Sequence, residues 1–134
     1  MYKRQCEDNP TIEKNMTEAR RRYPEGDIPV SEHPIIRSVE ACYKSSSKAV
    51  MLAKKYDSKL HVLHLTSQKE LGLFSTGDPC KKNVTAEVCV HHLHFDESYY
   101  ESMGSKIVCN PAIKTSSDRN ALMEAVKDLS LIHI

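Results

Sequence analysis

The spacing of apolar residues changes period several times along the chain. Ile12, Met16, Ala19 and Tyr23 recur at three- to four-residue intervals behind Thr11, a candidate N-cap, which predicts a helix over 11–23. Val39, Cys42, Tyr43, Ala49, Val50 and Ala53 form a second stripe behind Ser38 and predict a helix over 38–56. The period then shortens to two. Leu60, Val62, His64 and Thr66 share one face of a predicted strand, with His61, Leu63 and Leu65 on the other. Residues 84–92 alternate in the same way, with Val84, Ala86, Val88 and Val90 opposite Thr85, Glu87, Cys89 and His91. Ser67 and Glu70 have the spacing of a capping box for a short helix. Thr115 to Asp118 caps a last helix over 116–127, with Leu122, Met123, Ala125 and Val126 inward.

Between these segments lie a Pro-punctuated connection (24–34) and a turn-rich loop (72–82). Residues 95–105 read as an acidic loop with a helical turn, and 106–109 as a short strand-like run into Asn110-Pro111. Strands alternating with helices predict an α/β fold with a parallel sheet. The strand at 84–92, apolar on one face and compactly polar on the other, suits a barrel wall with helices outside and a site inside. His91, His92 and His94 fall at its C-terminal end, where the loops of such barrels carry function.

The 134 residues suit one modest domain. A net charge of +1 argues against a nucleic-acid or membrane footprint. The five cysteines are odd in number and contain no C-x-x-C pair, as expected of reduced thiols in a cytoplasmic protein. No signal-peptide pattern and no apolar run of membrane-span length occur. Arg20, Arg21 and Arg22 end the first predicted helix, where they complement its partial charge as a solvated face. Ser45, Ser46 and Ser47 are small enough to let their helix pack closely on a sheet.

Four runs add a second line of argument: CEDN (6–9), LHVLHLTS (60–67), TAEVCVHHL (85–93) and CNPAIKTSSDRNAL (109–122). In this order and spacing they resemble the dihydroorotase family of the metal-dependent amidohydrolases, over residues 6–128. The resemblance implies a partial (β/α)8 TIM-type barrel, parallel strands with flanking helices, because the whole barrel needs about 250 residues. On this reading residues 1–134 are a single fragment of an amidohydrolase barrel, and 1–5 and 129–134, which depart from the family pattern, are non-native scars. The implied activity is interconversion of N-carbamoyl-L-aspartate and dihydroorotate in de novo pyrimidine biosynthesis. It brings one or two zinc ions, a small-molecule substrate, a cytoplasmic location, and a homo-oligomeric or carbamoyltransferase partner for the parent protein.

Carried over residue by residue, the resemblance makes His64 a zinc ligand and Asn110 a substrate-binding residue whose amide offers both a donor and an acceptor. His61, on the opposite face from His64, is expected outside the barrel against the helices. Gln5 departs from the pattern, standing where the family has a metal-binding histidine, and an amide is a poor zinc ligand. The family's general acid/base aspartate, its first His-x-His and its bridging carboxylate have no counterpart here. No catalytic residue is therefore assigned within the chain, and the 134 residues alone are expected to be inactive. On a continuing strand only His92 and His94 could chelate together, and the family does not use its His-His pair for metal, so the cluster reads as structural or as the edge of the site. Glu87 is an interior carboxylate in need of a partner. Two alternatives stay open: a non-catalytic dihydroorotase-like subunit partnering a carbamoyltransferase, which Gln5 favours, and another cyclic amidohydrolase such as an allantoinase or dihydropyrimidinase.

Overall fold

The computed structural model describes residues 1–128 and the backbone of 132 and 133. In chain order the elements are β1 (Tyr2–Arg4), α1 (Asn9–Arg22), α2 (His33–Ile36), α3 (Val39–Lys55), β2 (Leu60–Val62), α4 (Gln68–Leu71), β3 (Val84–Val88), α5 (Val90–His94), α6 (Tyr99–Met103), α7 (Ser116–Lys127) and β4 (Ile132–His133). The strands lie in sequence order, β1-β2-β3-β4, and every pairing is parallel. Tyr2 stands opposite Leu60, His61 opposite Thr85, and Glu87 opposite Ile132. The described residues form an open α/β sheet and not a closed barrel, with the two long predicted strands as parallel neighbours. No helix among the described residues is long and apolar enough to cross a membrane.

The two faces of the sheet are chemically distinct. Leu60, Val62, Ala86 and Val88 pack beneath Val50 and Ala53 of α3 and Leu122 and Ala125 of α7, all in one buried cluster. The opposite face carries His61, Thr85 and Glu87. There His61 Nδ1 lies 2.8 Å from Thr85 Oγ1, and Nε2 lies 2.8 Å from Glu87 Oε2. Thus His61 is not packed against the helices, as the alternation had suggested; it is the partner that the buried Glu87 requires. A smaller cluster of Tyr100, Ile107 and Ile113 forms beside the end of the sheet.

Two predicted strands end early, each for a local reason. β2 stops at Val62, and His64 adopts a left-handed φ of +44°. Pairing resumes beyond it, where the Leu65 N–H donates to the Glu87 carbonyl at 2.8 Å. The kink breaks the alternation, so Leu65 joins Leu60 and Val62 in the core instead of facing away from them. β3 stops at Val88: Cys89 is the extended N-cap of α5, and 90–94 coil into a helical turn that leaves Val90 exposed. The run 106–109 is likewise not a strand; a 3-10 turn occupies Gly104–Ile107.

β1 is built from residues that the family pattern had set aside. Its three side chains are exposed, so it is held by backbone pairing, which any sequence can supply. The matching expectation for the C-terminal tail falls at 129–131 and 134 outside the described residues. α1 is capped by Asp8, not Thr11: the Asp8 carboxylate accepts from the Thr11 N–H at 3.2 Å and its hydroxyl at 2.6 Å. Ser38 caps α3, and Thr115 with Asp118 forms the reciprocal box at α7. Asp118 also accepts from the Gln68 N–H at 2.8 Å, tying the start of α4 to α7.

Candidate functional site

The C-terminal ends of three parallel strands bring the chemistry-bearing residues together. Gln5 follows β1, His64 follows β2, and Cys89, His91 and His92 follow β3. His64 is half-buried, and its Nδ1 is buried without a hydrogen-bond partner. A histidine at positive φ is uncommon and costs on the order of 1 kcal/mol, a strain that clusters at functional positions.

His92 is 3% exposed, and its Nε2 lies 3.2 Å from the Pro111 carbonyl. A carbonyl only accepts, so Nε2 carries the hydrogen and Nδ1 is left with a lone pair. That Nδ1 is also buried without a partner. Burial pushes the His92 pKa down to about 3. Burial lowers the pKa of His91 too, with the nearby His64 adding to the effect. The ligand atoms of Cys89, His91 and His92 all lie within 4.8 Å of one another. His94 turns elsewhere and meets Phe95 edge-on, with centroids 4.7 Å apart.

The same contacts deliver the Asn110-Pro111 turn to this end of the sheet. Cys109 Sγ lies 3.2 Å from the Pro111 carbonyl, and His33 Nε2 lies 2.8 Å from the Cys109 carbonyl. The Asn110-Pro111 peptide is cis, and Asn110 is exposed. A cleft of about 140 Å³ opens beside it, lined by His91, Phe95, Lys106, Val108 and Cys109 among others. A larger cleft of about 760 Å³ runs along β1 and α3, away from the histidines, past Tyr2, Arg4, Lys44, Leu52 and Tyr56.

His92 therefore links the two residues singled out by the resemblance: it touches the carbonyl that follows Asn110, and His64 acts electrostatically on its ring. Treating 84–92 as one strand hid the grouping of Cys89 with His91 and His92. The signal was a cysteine and two histidines within four residues, which a helical turn gathers, whereas a strand would turn His92 away from Cys89 and His91. The orphaned Nδ1 of His64 suits a metal ion, as the resemblance implies. Gln5 is exposed just past β1 and supplies only an amide.

No family model matches the chain. It is 28% identical over 112 residues to the dihydroorotase of Methanosphaera stadtmanae, covering 84% of this chain and 26% of that one. It is 29% identical over 123 residues to the dihydroorotase of Staphylococcus epidermidis, covering 92% and 28%. The allantoinase of Enterococcus faecalis is 26% identical over 98 residues, covering 73% and 21%. Among solved structures, the dihydropyrimidinase of Brevibacillus agri superposes with a TM-score of 0.83 at 22% identity, over 96% of this chain and 28% of that one. The dihydroorotase of Campylobacter jejuni gives 0.57 at 20% identity, over 70% and 28%. Fold and homology together define a cyclic amidohydrolase-like domain. The chain is a distant homologue of dihydroorotases and spans about a quarter of the length of the curated relatives it matches.

Proposed function

We propose that this chain is part of a dihydroorotase-like cyclic amide hydrolase, acting on a small-molecule substrate in pyrimidine biosynthesis. The supporting observation is His92, which bonds to the Pro111 carbonyl of the Asn110-Pro111 turn and feels the charge of His64, while His64 Nδ1 is buried and unpartnered. In this reading His64 holds one zinc ion. When bound, the metal supplies an activated water and polarises the ring carbonyl that the water attacks. Asn110 offers its amide N–H and C=O to the cyclic imide-like edge of the substrate. His92 is a positioning residue, since its bond to Pro111 fixes the turn that carries Asn110. The general acid/base aspartate, the remaining ligands and any homo-oligomeric or carbamoyltransferase partner belong to a longer parent.

Gln5 favours a second reading, a non-catalytic subunit of the same fold. A hybrid enzyme separates the two. The matching segment of the Methanosphaera stadtmanae dihydroorotase is exchanged for this chain, with Gln5 or with Gln5→His. The catalytic reading expects the Gln5→His hybrid to hydrolyse dihydroorotate in preference to allantoin and hydantoin. In that background His64→Ala should lower zinc content, and Asn110→Ala should raise KM about tenfold with zinc retained, the worth of one good hydrogen bond. Turnover of allantoin without dihydroorotate would overturn the substrate assignment. An inactive Gln5→His hybrid that folds and binds zinc would favour the non-catalytic reading.

A further inference from the structure

Cys89, His91 and His92 place one sulfur and two imidazole nitrogens within 4.8 Å of one another. His64 lies close enough to act electrostatically on His91 and His92 but is not one of the three, so the grouping is a different ligand set from the one assigned above. His92 has the form a metal requires. Its Nε2 hydrogen points at the Pro111 carbonyl, which leaves the Nδ1 lone pair free, and that atom is buried with no partner. A backbone acceptor behind a ligating imidazole is the usual support that fixes the tautomer and orients the ring. A buried ring nitrogen without a hydrogen bond is otherwise a net cost to the fold.

Local geometry assembles the group. Cys89 is the extended N-cap of α5, and the turn that follows returns His91 and His92 toward it, with their rings 4.2 Å apart. The structural contacts of His92 run through Nε2 to Pro111 and Cys109, which leaves the opposite side of the ring uncommitted. His91 is half-buried beside the 140 Å³ cleft, which gives an ion and a water a route in.

We propose that Cys89, His91 and His92 form a three-ligand binding site for a borderline-soft cation, with zinc as its occupant and an exchangeable water in the fourth position. The donor set makes the choice: a thiolate with two neutral imidazoles selects zinc over magnesium or calcium, which require oxygen ligands. Binding releases the thiol proton of Cys89 to solvent and forms one sulfur–metal and two nitrogen–metal bonds, with no redox change. The site does not depend on the dihydroorotase reading, because it does not use His64.

The test uses the full 134-residue chain, stripped with a chelator and titrated with cobalt as a spectroscopic stand-in for zinc. The expected result is a sulfur-to-cobalt charge-transfer band that saturates at one equivalent and is displaced by zinc. Cys89→Ser should abolish the band. His91→Ala and His92→Ala should each weaken binding by at least about tenfold, whereas His64→Ala should leave the band in place. A second measurement needs no variant: stoichiometric zinc should slow alkylation of Cys89 by on the order of tenfold, with exposed Cys80 unchanged as the internal control. Equal alkylation of Cys89 with and without zinc overturns the proposal, as does a charge-transfer band that survives Cys89→Ser. Loss of the band in His64→Ala alone would place the metal at the dihydroorotase-type position instead.

Discussion

Glu70→Ala is expected to lower the stability of the chain by about 3–5 kcal/mol, at about 1–3 kcal/mol for each of the three buried donors it leaves without an acceptor. Glu70 is 2% exposed and serves three donors from two segments. Its Oε1 accepts from Ser46 of α3 at 2.6 Å; its Oε2 accepts from the Ser67 hydroxyl at 2.9 Å and the Thr66 N–H at 3.4 Å. Alanine leaves all three without an acceptor at a place where water does not reach. Burial raises the Glu70 pKa, and the hydroxyls of Ser46 and Ser67 oppose that rise, so they carry much of the tolerance for a carboxyl group here. Lys114 is buried close by and donates to the Ala112 carbonyl at 2.9 Å; the Glu70 charge partly offsets the cost of its ammonium. Glu70→Gln keeps an oxygen acceptor and the volume and should cost less than half as much. Urea midpoints of the three proteins check the order. An alanine variant whose midpoint matches the parent would show that the network contributes nothing net.

This network was visible in the sequence as a capping-box spacing, Ser67 to Glu70. The spacing identified a helix start, and α4 begins there. It gave no hint that the carboxylate would reach Ser46, twenty-four positions earlier, because periodicity carries no long-range contact. The long helices and the parallel pairing of β2 with β3 were legible for the opposite reason: apolar spacing within a segment decides them. The site was legible in composition but not in geometry. A left-handed His64 cannot be read from alternation, since the kink that places it cancels the alternation. The same limit misplaced His61, whose face was reasoned from His64 across that kink. At Cys89 the strand gave way to a helical turn after Val88, and a period of two continued past that point turns His92 away from Cys89 and His91, the two residues it joins. Asn110-Pro111 was recognisable as a turn, but its attachment to His92 required the tertiary contact through the Pro111 carbonyl.

The His92 tautomer leads to the second large effect, on acid stability. His92 is neutral in the fold, with its pKa pushed down to about 3 by burial, against about 6.5 in an unfolded chain. Between those values the unfolded chain binds the additional proton, so stability is complete above about pH 6.5 and falls as the pH drops toward 3. The ceiling for this single residue is about 5 kcal/mol, at 1.36 kcal/mol for each tenfold change in proton affinity. His33 and His91, both also lowered by burial, act in the same direction. Glu70 acts in the opposite direction: its raised pKa favours the fold in acid, and that contribution is lost as the pH rises above about 4.5. The parent profile is therefore a sum, and His92→Gln isolates one part of it. Glutamine keeps an N–H for the Pro111 carbonyl and does not titrate. Unfolding in urea, followed from about pH 7 to pH 4 with a chelator present to exclude metal, should show the parent losing stability more steeply than the variant. The gap between them should narrow by a few kcal/mol toward the acid end. Parallel curves would mean that His92 accepts a proton inside the fold at little cost, and that its ring is not held neutral by burial.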